Sequence, residues 1–152
     1  MDDKWLRDMA DRVNQDTETK KLKDQRFVEV QKLRREQTPE MWRRLKDWVK
    51  EACAGMNKEI GREVVQFSDG SGLDFTVKGL GDGMHTTMTA QFDPNKLVIS
   101  YRSQSGDPSA DYELEIGGEG VRFSDKRHGG TAYSVEEIGK TIMQHALKVY
   151  HY

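Results

Sequence analysis

The run Lys126-Arg127-His128-Gly129-Gly130 is where residue types and spacing in this chain come nearest to chemistry. Two fixed positive charges, an imidazole and two glycines lead toward Ser134-Val135-Glu136-Glu137, which reads as a helix start. The free amides of a helix N-terminus carry partial positive charge and receive anions, so the loop is a candidate anion site. The same sequence supplies a competitor. Ser134 and Glu137 stand at capping-box spacing, in which hydroxyl and carboxylate satisfy those amides reciprocally, and Glu136 adds negative charge. The spacing does not match a phosphate-loop motif, and a solvated strand-to-helix connection is the alternative.

Other chemistry-bearing residues are scattered. Gly79-Leu80-Gly81-Asp82-Gly83 has the glycines of a nucleotide loop, but the alternating segment Met84 to Phe92 follows it, whereas a dinucleotide fingerprint needs a helix there. It reads as a hairpin connection. His85, His128, His145 and His151 show no metal-ligand spacing, and a single cysteine removes thiolate-rich zinc sites. Cys53 falls on an apolar helix stripe beside Ala52 and Met56, the setting of a small buried hydrophobe. Glu113 and Glu115 alternate on one strand face, and become acid/base candidates only if burial separates their pKa values. No nucleophile and base pair by spacing, so no catalytic residue, metal or cofactor is assigned.

The elements that must position these residues follow from hydrophobic rhythm. Trp5, Leu6, Met9 and Val13 recur at helical spacing, a polar stretch from Asn14 to Lys21 follows, and Phe27, Val30 and Leu33 resume the pattern. Thr38-Pro39-Glu40 then reads as an N-cap and first helical position, which predicts a break or kink at Gln37 to Thr38. Beyond it Trp42, Leu45, Val49, Cys53, Met56 and Ile60 form a stripe widened by Met41, Trp48 and Ala52, with Gly55 inside it as a point of close backbone contact and Gly61 ending it.

After Gly61 the period becomes two, through Val65, Phe67, Leu73, Phe75, Val77, Met88, Ala90, Phe92, Leu97, Ile99, Tyr101, Tyr112, Leu114, Ile116, Val121 and Phe123. Glycine, proline and aspartate clusters punctuate it at short intervals, which favours hairpins over parallel crossovers. Ile138, Ile142, Ala146 and Val149 make a last amphipathic helix. The expected fold is α+β. A charged N-terminal helical arm of two to three helices spans residues 1–37. A single domain, 38–152, holds an antiparallel meander of about six strands, with the C-terminal helix packed on the same face of the sheet as the Trp42 helix.

Composition bounds function without naming it. Charged residues make up 33% of the chain and apolar residues 35%, which suits long helices with one buried stripe. Neither an apolar run long enough for a span nor a leader-like segment occurs, and with one cysteine this predicts a cytoplasmic protein. The net charge of −2 conceals segregation: residues 1–19 hold six acids and three bases, residues 20–50 eleven bases and five acids, residues 61–152 thirteen acids and nine bases.

Three functions are compatible with this pattern. The first is a non-catalytic interaction module that self-associates through Trp5, Leu6, Met9, Val13, Phe27, Val30 and Leu33, with a second copy or another protein as partner. The second is a module for a small molecule or lipid, with Met84, Met88, Tyr101 and Tyr112 lining a pocket between sheet and helices. The third is a nucleic-acid tether through the basic part of the arm, against which interspersed Asp24, Glu29, Glu36, Glu40 and Asp47 argue for pairing along the helix surface.

Overall fold

A computed structural model describes residues 3–81, 85–117, 120–125 and 131–150. Residues 3–60 form one helix, α1 (Asp3–Ile60), where the spacing predicts two or three. The break expected at Gln37 to Thr38 is absent, and Thr38 is no N-cap. Thr38 is buried within the helix, and its Oγ1 donates to the Arg34 carbonyl at 2.6 Å, a bond made one turn back along the same helix. Pro39 removes one backbone donor, but Trp42, Leu45, Val49 and Cys53, all buried, fix the next four turns against the body. Packing overrides the local preference.

The α1 C-terminus is tied down by a side chain. Gly61, at φ 81°, donates its amide to the Asn57 carbonyl, and the Asn57 side chain then bridges to the first strand. Its Oδ1 accepts from Val64 N (2.8 Å) and Val65 N (3.1 Å), and its Nδ2 donates to Val65 O (2.9 Å).

Among the described residues seven strands follow in chain order as one antiparallel sheet: β1 (Val65–Asp69), β2 (Asp74–Leu80), β3 (His85–Asp93), β4 (Val98–Ser103), β5 (Ser109–Gly117), β6 (Gly120–Asp125) and β7 (Ala132–Tyr133). The seventh is two residues long, too short for alternation to reveal it. Every neighbour pair is antiparallel, as expected of a meander with short connections. Val77↔Met88, Ala90↔Tyr101 and Tyr101↔Ala110 set the register of the inner face, and Thr76↔Thr89 and Lys78↔Thr87 pair on the other. Leu73 departs from the predicted pattern. It precedes β2 in the turn and stays exposed.

Helix α2 (Val135–Ala146) and a turn of 3₁₀ helix (Leu147–Tyr150) close the fold. The second half of α1 and α2 pack side by side on the core, which joins Trp42, Leu45 and Val49 to Phe75, Val77, Met88, Ile99, Leu114, Phe123, Ile138 and Ile142. The close helix contact lies at Gly139, where a Cβ would stand 2.3 Å from Trp48 Cε3. Gly55, expected to serve such a contact, has nothing within 4 Å of where its Cβ would be.

Candidate functional site

Residues 3–29 of α1 are exposed without exception, and burial begins only at Val30 and Gln31. At 1.5 Å per residue this is about 40 Å of helix standing clear of the sheet. Arg34 marks its root, with Nη2 3.6 Å from the Glu113 carboxylate on β5 and Nη1 3.4 Å from Gln31 Oε1. The exposed length carries large apolar side chains: Trp5 is 58% exposed, Val13 59% and Phe27 65%, with Leu6, Met9, Leu22 and Val28 also open.

Their placement is not random around the helix. Leu6, Met9 and Val13 precede Trp42, Leu45 and Val49 by thirty-six residues each, about ten turns of 3.6, so both triplets lie on one face of the same helix. The face that is buried against the sheet in the second half of α1 is thus continued, uncovered, along the first half. The face is interrupted by Asp16, Lys20 and Lys23, and resumes at Phe27 and Val30. Of the residues expected to mediate self-association, Trp5, Leu6, Met9, Val13, Phe27 and Leu33 are exposed and Val30 is half-buried. Leu22 and Leu33 lie off the stripe, while Val28, about 40° around the helix from Leu6 and Trp42, stands at its edge; the spacing alone singles out neither Leu22 nor Val28.

The other expected sites are distributed elsewhere. Met84 and the loop Lys126, Arg127, His128, Gly129 and Gly130 lie outside the described residues. The helix start they lead to is capped: Ser134 Oγ accepts from Glu137 N at 3.2 Å, and Glu137 Oε1 from Ser134 N at 3.4 Å. Met88, Tyr101 and Tyr112 are buried in the core. The rings of Tyr101 and Tyr112 lie 6.0 Å apart, Tyr133 meets Tyr112 edge-on at 5.6 Å, and His145 stands 6.1 Å from Tyr101. Burial pushes both the Tyr101 and Tyr112 phenols up. They stay protonated and pack rather than titrate.

Cys53 is buried with its thiol 3.6 Å from Met143 Sδ, and burial pushes it up to about 11. That is the setting of an inert thiol. Among the described residues no three His, Cys, Asp or Glu side chains are placed to hold a metal ion, and no helix is long and apolar enough to cross a membrane. A shallow groove of about 260 Å³ runs between α1 and α2, lined by Trp48, Ala52, Met56, Met143 and Leu147, with Lys140 and Gln144 at its rim. Comparison of the chain with family models, with curated proteins and with solved structures finds no match.

Proposed function

We propose that this protein is a non-catalytic interaction module that associates with a second copy of itself through the exposed first half of α1. One observation carries the proposal: the apolar stripe that is buried at Trp42, Leu45 and Val49 runs on, solvent-exposed, through Leu6, Met9 and Val13. Exposed side chains of this size on a helix without tertiary cover are the mark of a surface that is covered in use. Each covered Leu, Met or Phe contributes about 1.5–3 kcal/mol when fully buried. The arm is also free to be used. Among the described residues every fully buried side chain lies at or beyond Thr38, so the packing of the body does not depend on the exposed arm.

Sedimentation of the intact chain against a truncation beginning at Val30 tests this. The intact chain is expected to dimerise at micromolar to tens-of-micromolar concentration, roughly the scale of a weak interface. The truncation is expected to be monomeric with an unchanged melting temperature. Two monomers would refute self-association.

A second reading draws on the groove between α1 and α2, whose lining is mostly apolar and would suit a small hydrophobic ligand or acyl chain. Trp48 lies in that lining, so its fluorescence should shift on binding. A flat response across a lipid and metabolite panel would count against it.

A further inference from the structure

We infer that two copies pair arm to arm in antiparallel orientation, about a two-fold axis near residue 18. The inference rests on the self-association proposed above and specifies its geometry. On the exposed stripe, Leu6, Val13, Lys20 and Phe27 recur every seven residues, and Met9, Asp16, Lys23 and Val30 form the companion series three positions on. In an antiparallel pair, members of one series face members of the other. One register places Leu6 against Val30, Met9 against Phe27 and Asp16 against Lys20 of the second copy, each contact made twice by symmetry.

The ends of such an interface are apolar and its centre is a ring of four charges that alternate in sign. Asp16 and Lys20 stand four apart on one helix, and each also faces its opposite in the other. Trp5 falls beside Leu33 of the second copy at the edge, and Val13 meets Lys23, whose aliphatic stem can lie along it while the ammonium reaches water. Arg12 beside Arg26 of the second copy is the unfavourable flank, at a solvated edge where repulsion is screened.

The alternatives carry worse charge contacts. Parallel in-register pairing would set Asp16 on Asp16, Lys20 on Lys20 and Lys23 on Lys23. A slip of one heptad in either direction sets Leu6 and Val13 against Lys23 and Asp16, or Lys20 against Lys23 and Asp16 against Phe27. Length agrees as well. In the chosen register residue 3 of one copy lies opposite residue 33 of the other, just short of Arg34, where α1 meets β5. The exposed residues 3–29 therefore all lie within the paired length, whose ends reach the root of the arm, where Val30 and Gln31 are already half-buried.

Spin labels on full-length chains carrying Cys53→Ala and either Arg7→Cys or Glu18→Cys decide the matter by pulsed dipolar spectroscopy. In the antiparallel register the two labels at position 7 are separated by about 33 Å along the axis, and those at position 18 by about none. A long distance at 7 with a short one at 18 is the expected result. Short distances at both, or any other combination in a dimer, would overturn the orientation while leaving self-association standing. Absence of dipolar coupling in a chain that sediments as a monomer would remove both. As a second readout, Asp16→Lys should weaken the dimer on the order of 10- to 100-fold, since two attractive contacts become repulsive. Asp16→Lys with Lys20→Asp should return it to within a few-fold of the parent. An unchanged affinity for Asp16→Lys would place the charged centre outside the interface.

Discussion

Trp42 shows how one side chain joins three parts of the fold. It is buried, stacks on Phe75 at 5.2 Å and Phe92 at 6.0 Å, and donates its indole N–H to the Gly72 carbonyl at 2.9 Å. Lys46 Nζ donates to the same carbonyl at 3.2 Å, so loss of the indole donor does not leave that oxygen orphaned. Trp42→Phe should cost only about 1–2 kcal/mol, in keeping with a replaced hydrogen bond, whereas Trp42→Ala should cost about 3–5 kcal/mol for the cavity. Urea denaturation separates the two; equal losses would mean that the hydrogen bond, not the ring volume, dominates. His145 gives a pH prediction at the same scale. Burial lowers its pKa from 6.5, repulsion from Lys148 adds to this and Asp107 opposes it. The unfolded chain then binds more protons below 6.5, so this contribution to stability is present above that value and is lost as pH falls toward the folded pKa. His145→Gln should flatten the decline in urea midpoint between pH 7.5 and 5.5, and an identical slope would show that the imidazole is not its source.

At the scale of elements, two glycines test the helix layer in opposite directions. Alanine is favoured over glycine in a helix by about 1 kcal/mol. At Gly55, with nothing within 4 Å of the added methyl, Gly55→Ala should realise most of that gain. At Gly139 the methyl would strike the Trp48 ring at 2.3 and 2.6 Å. Overpacking of about 1–3 kcal/mol should outweigh propensity there, and Trp48→Leu should relieve it. Opposite shifts in melting temperature are expected, and shifts of the same sign would contradict the close approach. Much of this layer was legible in the residues themselves. The change of hydrophobic period at Gly61 and the Ser134–Glu137 cap are local signals, and both elements lie where those signals place them. Pro39 is also a local signal, but its effect depends on whether neighbours keep the helix continuous through it, which only the packed core decides. Leu6, Met9 and Val13 look the same in sequence as Trp42, Leu45 and Val49. What separates them is whether a sheet lies alongside, and that is not written in either stripe. The residues of the arm are therefore legible in the sequence, while its exposure and its alignment with the buried face are not.

At the scale of the whole molecule, a folded body holds one end of a helix whose other half lacks tertiary support. The body supplies the helical nucleus, so the arm needs only to propagate, yet with little packing each further turn gains little and the free end should open at low cost. Pairing with a second arm changes this, since covered amides exchange only when the dimer separates. Hydrogen exchange at protein concentrations well below and well above the dimer dissociation constant should therefore differ across residues 3–29 and agree across residues 38–60, whose buried stripe belongs to the body. Salt sorts the remaining partner classes. Contacts to nucleic-acid phosphates lose about 10³- to 10⁵-fold in affinity between 50 and 200 mM salt when six to ten are made. An interface with apolar ends and a small alternating charge cluster should weaken by less than about tenfold over that range, because screening acts only on its centre. Concentration-dependent protection of the arm that survives 200 mM salt is the expected outcome. Protection of residues 3–29 that ignores protein concentration would mean that the arm is held by its own chain, and its open stripe would then have no second copy to meet.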